Sequence, residues 1–442
     1  MAAQAFVLIA FGQPAGSWAN DQTNYHMVAI EKFAEELPAP DLIHYPSATS
    51  PGWHLALAVL TRMGAGEGAL RWVSALAGVV LALAATCTAS RWVTPRTAAL
   101  LALPLVLTPY AVGGSAWITT DVPALACMAL ALAATLRGCP PYPRWGGGGV
   151  VHATRAERSS NAPGSTAGPR TGPGAWRPWS AALWATAGVA IRQPLVWLAA
   201  PIAWRAWRER RAGGLVAALL PVALLVALVL MWQGLIPPMY RYLHQRGANP
   251  AGFVLLLALA GAWGAPLALA LYVAEEARRR LLPLAAVGAA LALAVALAVP
   301  TSYAKGEGGV EGRWGGPLWS AVERTPSIAD RSLLMTGMAA VGGASLAVLA
   351  QQASRRGATT AGGIVLIALA CVAAANTANS QAWERYADLP LLLLLPWLAA
   401  LGVRTPRAAS AVGVAALVVA CAQVAIAAVN LWKPALLPGA AP

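Results

Sequence analysis

Apolar blocks of about 15–22 residues recur from one end of the chain to the other, and a helix needs about 20 such residues to cross a bilayer. Between them lie short polar breaks rich in Arg, Gly and Pro. The blocks do not alternate as the strands of a membrane barrel would, so the pattern predicts an all-α polytopic membrane protein with about 11–13 membrane segments. The expected spans are 70–90, 97–110, 122–136, 214–232, 252–273, 281–299, 332–349, 362–375, 389–401 and 408–429. Two blocks depart from that form. The block 51–63, opened by Pro51, is short enough to cross only partly. The block 179–204 is interrupted by Ile191-Arg192-Gln193-Pro194. Pro194 removes a backbone donor and disfavours helix at Gln193, which predicts two half-helices forming a V with Arg192 at its tip. Upstream, the block AQAFVLIAFG at 3–12 is too short for a full span and has no basic flank, so it reads as the remnant of a first transmembrane helix entering from the cytoplasm.

The polar segments divide the chain into three parts: membrane segments 1–137 with a first loop at 13–50, a linker at 138–178, and the remaining bundle at 179–442. The linker is rich in Gly, Pro and Ser and carries five arginines against Glu157, so it reads as a disordered basic cytoplasmic segment. The first loop is acidic, with Asp21, Glu31, Glu35, Glu36 and Asp41, and the stretch 18–54 holds three of the five histidines. Carboxylates are costly in hydrocarbon, so it must lie in water or at the interface. An amphipathic helix over 22–36 with Glu31, Glu35 and Glu36 on its wet side fits that position.

Composition supports the membrane reading: 58% of residues are hydrophobic and 11% charged. The net charge of +14 does not point to nucleic acid, because the arginines sit in short loops such as 91–96, 204–211, 277–280, 354–357 and 403–407. By the positive-inside rule those loops are cytoplasmic. The first loop, 233–250, 300–331 and 376–388 are then outside. Abundant Ala, Gly, Pro and Arg with scarce Lys suggest a high-GC bacterial gene, hence a multi-pass protein of the bacterial plasma membrane with its working face outward. Cys87, Cys127, Cys139, Cys371 and Cys421 form no CxxC pair and read as small core residues.

That outer layer collects the unusual polar groups: Asp21 and His26, Asp121, Arg192, Arg241, His244 and Arg246, Lys305, Glu307, Glu311 and Arg313, and Glu384-Arg385-Tyr386. Arg and Lys clamp phosphates, and a carboxylate can accept the proton of an attacking hydroxyl. Together they suggest transfer of a sugar from a polyprenyl-phosphate donor, with positive charge where the leaving phosphate gains negative charge. Most of these residues also have a structural explanation. Asp21 suits the N-cap of a helix over 22–36, Asp121 the cap of the helix at 122, and Glu384 with Arg385 an interfacial ion pair beside a belt tyrosine. Arg192, in the middle of an apolar block, has none. His26, His44 and His54 lack metal-ligand spacing, so neither a metal nor a cofactor is expected.

Four islands in order carry a family resemblance. The first loop with Asp21 and Tyr25-His26 followed by SATSPGWHLAL resembles the first luminal loop of GT-C glycosyltransferases. ITTDVPAL at 118–125, IRQPLVW at 191–197 and WERYADLPLLLLLPW at 383–397 look like motifs of the dolichyl-phosphate-glucose-dependent α-1,2-glucosyltransferases. The resemblance implies an inverting hexosyltransferase of GT-C fold, glucose being that family's sugar. Asp21 would be the catalytic carboxylate, and His26, Asp121, Arg192, Gln193, Arg385 and Tyr386 would bind substrate. Its partners would be a polyprenyl-phosphate sugar, a lipid-linked or cell-surface glycan acceptor and the bilayer, with no nucleic acid. The chain departs from that family by having Asp21-Gln22 where two adjacent acids are usual, by its Gly-rich 300–331 and by the insertion at 138–178. The competing readings are a transporter or flippase for a lipid-linked anionic saccharide, which broken helices with a central Arg also suit, and a non-enzymatic assembly subunit.

Overall fold

A computed structural model describes residues 17–139, 176–243, 247–274, 278–302, 315–354 and 359–429. The N-terminal block, almost all of the basic linker, the groups His244, Arg246, Lys305, Glu307, Glu311 and Arg313, and the C-terminal tail lie outside the described residues.

The described residues open with α1 (Ser17–Asp21), which runs through a π turn (Gln22–His26) into α2 (Met27–Glu36). The helix therefore begins before the expected 22–36, and Asp21 sits inside it with helical backbone angles and caps nothing. In α2, Ala29, Ile30, Phe33 and Ala34 are buried while Glu31 and Glu35 are exposed, as an interfacial helix requires. After the loop comes α3 (Gly52–Arg62), whose eleven residues span about 16 Å against the roughly 30 Å of a hydrocarbon core. It does not cross. Its start packs on Ala190 and the helix after it begins beside Gln22, so both its ends lie at the end of the bundle that holds Asp21. Phe33, Tyr45, Leu57, Leu70, Ile118 and Trp232 form the core under this layer. Asp41 organises the loop: its carboxylate accepts the backbone N–H groups of Ile43 and His44, which hold its pKa down to about 2, and pairs with the His44 ring at 3.0 Å.

The bundle continues with α4 (Glu67–Ala89), α5 (Pro95–Leu107), α6 (Pro109–Ala116), α7 (Asp121–Leu136), α8 (Pro178–Ile191) and α9 (Ala199–Arg208). It closes with α10 (Ala212–Trp232), α11 (Ala251–Ala274), α12 (Arg278–Ala298), α13 (Pro317–Val322), α14 (Leu333–Ser354), α15 (Thr359–Thr377), α16 (Glu384–Gly402) and α17 (Pro406–Ala427). The only sheet among the described residues is a two-residue ribbon, β1 (Ser327–Ile328) against β2 (Arg331–Ser332). Among the described residues eight helices are long and apolar enough to cross a membrane: α4, α10, α11, α12, α14, α15, α16 and α17. The protein is an all-α, multi-pass membrane bundle.

Two segments reach across without being single straight helices. α5 and α6 meet at a 70° bend where one span over 97–110 was expected. Pro109 forces Thr108 into extended backbone, and the Thr108 hydroxyl then donates to Asp388 of α16. The second is the V. α8 ends at Arg192, which is extended (φ −143°, ψ 115°), and a 3₁₀ turn over Gln193–Leu198 carries the chain into α9. At the far end of α9, Arg205 donates to the Thr135 carbonyl, lies 4.6 Å over the Trp176 ring that precedes α8, and pairs with Glu209 at 2.8 Å. Both arms thus return to one end of the bundle. Arg91, which donates to the Leu136 and Cys139 carbonyls, lies at that end too. The tip carrying Arg192 is at the opposite end.

Helices in such a bundle approach through small residues. The tightest crossing is α11 on α14, where a Cβ added at Gly342 would lie 1.8 Å from the Leu257 carbonyl oxygen and one at Gly261 2.3 Å from that of Met338. Neither obstacle is a side chain that can turn away. Gly342→Ala is expected to part the two helices at a cost of about 1–3 kcal/mol, read as a lowered melting temperature in detergent. An unchanged melting temperature would rule out this crossing.

Candidate active site

Four elements converge at the end opposite the Arg91 cluster. The first-loop helix brings Asp21 and His26, the start of α7 brings Asp121, the V tip brings Arg192, and the first turn of α16 brings Arg385 and Tyr386. Arg192 is the hub. Its NH1 meets Asp121 Oδ1 at 2.8 Å, its Nε donates to Thr120 Oγ1 at 3.1 Å, and its guanidinium lies 5.0 Å over the Tyr386 ring. Asp121 lies in the first turn of α7 without capping it, and its side chain is 7% exposed.

Arg385 approaches the same ring. It lies 5.3 Å over Tyr386, 5.1 Å over Trp383 and 5.8 Å over Trp18, with its NH1 3.4 Å from Asp21 Oδ2. Its Nε is buried without a hydrogen-bond partner. The expected pairing with Glu384 does not occur. The Glu384 carboxylate turns the opposite way and accepts the backbone N–H of Leu318 at 2.8 Å, because α16 splits adjacent side chains onto different faces. Glu384 thereby ties the start of α13 to α16, and Arg385 is left for Asp21.

Two guanidiniums on one tyrosine ring repel each other, and two carboxylates offset them. Arg192–Asp121 is short and nearly closed to solvent. Arg385–Asp21 is longer and more open, with 21% and 28% of the two side chains exposed. An anion entering between the arginines can displace Asp21 more readily than Asp121. Burial raises the Asp21 pKa above its ordinary value, and Arg385 opposes that shift. Released from Arg385, Asp21 is a stronger base than an exposed aspartate.

His26 lies on the same face, within electrostatic reach of both arginines, and burial pushes its pKa down to about 3. It stacks on His54 of α3, with Nδ1 2.9 Å from His54 Nε2. The Gln193 amide nitrogen donates to the Ala48 and Leu235 carbonyls, bracing the V tip between the first loop and the segment after α10. His44, with Asp41, is separate, and among the described residues no cluster of His, Cys, Asp and Glu has the arrangement of a metal site.

Three contributions were missed from the sequence. Trp18 and Trp383 flank Arg385; Trp383 opens the island at 383–397 but was assigned no role there, and nothing in the local pattern of Trp18 marks it out. Gln22, in the place of the second acid, is 2% exposed and bridges Glu67 at 2.6 Å and the Ile118 N–H at 2.9 Å. It is a strut between the first-loop helix, α4 and the turn before α7. Gln22→Ala leaves that N–H buried and unpaired and is expected to cost about 1–3 kcal/mol, seen as a lowered melting temperature. Gln22→Glu keeps the acceptor for Ile118 but sets a second carboxylate against Glu67 in place of the donor, and is expected to cost at least as much at neutral pH.

Residues 48–153 match the family model described as dolichyl-phosphate-mannose-protein mannosyltransferase. That stretch is less than half of the chain and includes Asp121, while Asp21, Arg192 and Arg385 lie outside it. Two solved structures are similar at a low level. ArnT from Cupriavidus metallidurans bound to undecaprenyl phosphate is 16% identical, with 94% of this chain and 76% of that chain covered and a TM-score of 0.38. ArnT from the same organism in the apo state is 17% identical, with 94% and 78% covered and a TM-score of 0.35. No curated protein matches the chain. The family match falls on the first part of a helical multi-pass bundle whose acid-and-arginine site lies at one end.

Proposed function

We propose that the chain transfers a hexose from a polyprenyl-phosphate donor to a hydroxyl of a lipid-linked or cell-surface glycan, on the outer face of a bacterial plasma membrane. The observation that carries this reading is the pair of guanidiniums, Arg192 and Arg385, 5.0 and 5.3 Å from the centre of the Tyr386 ring, with Asp21 beside Arg385. The donor phosphate enters between the arginines, and Arg385 leaves Asp21 for it. Asp21 takes the proton of the acceptor hydroxyl. The hydroxyl oxygen then bonds the anomeric carbon as the carbon–oxygen bond to phosphate breaks, inverting the centre. The electron pair of that bond stays on the lipid phosphate, where Arg192 and Arg385 stabilise it. Asp121 holds Arg192 throughout. The arginine-lined end opposite the site supports the outward orientation by the positive-inside rule.

The sequence islands favour glucose and the matched family's description names mannose, so the proposal is for a hexose. The test is mass spectrometry of surface and lipid-linked glycans from a deletion strain, with the full-length protein assayed in nanodiscs on undecaprenyl-phosphate glucose and undecaprenyl-phosphate mannose. Loss of one terminal hexose in the strain and transfer from one donor are the expected results. Unchanged glycans, with donor lipid translocated in proteoliposomes and no transfer, would establish the flippase reading instead.

The pH profile supplies a further check. A base must be deprotonated, so activity falls as pH drops through the Asp21 pKa, and the raised pKa puts that acid limb above the ordinary 3.8. His26 stays neutral down to about pH 3. A limb assigned to His26 near its ordinary 6.5 would contradict this placement.

A further inference from the structure

The start of α16 brings Trp383, Arg385 and Tyr386 to the site, and little at that turn itself holds it in place. Trp383 is the N-cap residue of α16 and makes no side-chain cap. Arg385 reaches Asp21 at 3.4 Å, a long contact that the donor displaces, and its Nε is buried without a hydrogen-bond partner. Two of the three rings beside the guanidinium, Trp383 and Tyr386, are its near neighbours in the chain and move wherever the turn moves. Asn376 of α15 donates to the Tyr386 carbonyl only at 3.4 Å.

The firm anchor comes from the outer segment that leads into α13. Glu384 is tied to it twice. Its N–H donates to the Gly315 carbonyl at 2.9 Å, and its carboxylate accepts the Leu318 N–H at 2.8 Å. Gly315 and Trp383 form a parallel bridge, and Trp319 Nε1 donates to the Ala382 carbonyl at 2.8 Å. α13 is a fixed base for these bonds, since Leu318, Trp319 and Val322 are buried in the main core of the bundle. Two glycines let the segment come this close. A Cβ at Gly315 would lie 2.2 Å from Trp383 Cζ3. One at Gly316 would lie 2.2 Å from Glu384 Oε2, and its φ of 138° suits glycine alone.

We propose that Glu384, through this clasp, is a positioning residue for Arg385. The clasp fixes the first turn of α16, so the guanidinium stays aimed at the donor phosphate once Asp21 has left it. This rests on the glycosyltransferase reading above and assigns what holds its donor subsite. Glu384 itself touches no substrate. It is 3% exposed, its carboxylate is spent on Leu318, and helix geometry sends it to a different face from Arg385.

The test uses the full-length protein in nanodiscs, with undecaprenyl phosphate as the probe. Glu384→Ala is expected to weaken binding about 10- to 100-fold, as misplacement of a working group does. In an Arg385→Ala background the same change is expected to weaken it little further, because a residue that acts through Arg385 has nothing left to position. Losses that add in full would make Glu384 a general structural residue and overturn the proposal. Glu384→Gln keeps an acceptor for Leu318 and is expected to recover most of the affinity. Gly316→Ala leaves every polar group in place but drives a Cβ into Glu384, and is expected to reproduce the loss. Hydrogen exchange reads the clasp without any donor: the amides of 383–388 are expected to exchange faster in Glu384→Ala, and unchanged exchange would overturn it. If Glu384→Ala does not fold, the cycle is run with Gly316→Ala, where wild-type affinity would overturn it. Wild type that binds undecaprenyl phosphate but transfers no hexose from undecaprenyl-phosphate glucose or mannose would count against the glycosyltransferase reading, while the binding cycle would still decide the clasp. Wild type that binds no undecaprenyl phosphate would overturn the donor subsite and the positioning role with it.

Discussion

Asp21→Asn is expected to lower sugar transfer by about 10²–10⁴-fold, the usual contribution of a positioned general base, and to strengthen donor binding at the same time. The second expectation separates a base from a scaffold residue. In the resting site Asp21 lies 3.4 Å from Arg385 and competes with the donor phosphate for it. Asparagine has nearly the same shape and keeps a carbonyl oxygen towards the guanidinium, but has no charge to hold it. The phosphate then meets an arginine that is already free, so Kd for undecaprenyl phosphate falls while kcat collapses. Titration of the nanodisc-embedded variant with undecaprenyl phosphate reads the first quantity and turnover of the hexose donor reads the second. Full activity in a folded Asp21→Asn protein would remove Asp21 from the chemistry. Equal loss of binding and turnover would make it a structural partner of Arg385. Asp21→Glu moves the carboxylate by one methylene and is expected to recover part of the rate.

Features written locally were legible in the sequence. Hydropathy located the membrane helices, because each one answers to its own composition. The Arg192-Gln193-Pro194 break was readable because proline acts on its immediate neighbours, and the V it produces puts Arg192 where an apolar block could not otherwise hold it. Pairings across the fold were not legible. Asp21 and Arg385 are separated by 364 residues, and Glu384, the acid next to Arg385 in sequence, was the natural but mistaken partner. Helical geometry sends neighbours 384 and 385 to different faces, which decides the matter. That the Gln193 amide also braces the V tip was not legible either, because the carbonyls of Ala48 and Leu235 come to it from distant segments. The bend at Thr108 had a readable cause in Pro109, yet its stabilising partner, Asp388, comes from another helix. His54 drew attention only as a possible metal ligand, since α3 looked like part of a span and its docking on Ala190 is a tertiary fact.

Arg192 offers the second large effect, and its test is a cycle. Arg192→Ala removes one phosphate clamp and also leaves Asp121, 7% exposed at its side chain, without its cation. Breaking one partner of such a buried pair costs about 3–5 kcal/mol, so the single variant is expected to melt well below wild type and to lose transfer. On its own that result cannot separate chemistry from folding. Asp121→Asn combined with Arg192→Ala removes both charges and is expected to regain most of the melting temperature, because no isolated ion remains. Transfer is expected to stay at least 10²-fold down, since the leaving phosphate still lacks its second guanidinium. Arg192→Lys sharpens the point. A lysine keeps the charge near Asp121 but cannot bond Thr120, pair with Asp121 and lie flat on Tyr386 at once, as the planar fork does. It is expected to fold nearly normally and to lose turnover more than donor affinity. If the double variant regains transfer along with stability, Arg192 serves only to neutralise Asp121, and the donor phosphate must be held by Arg385 alone.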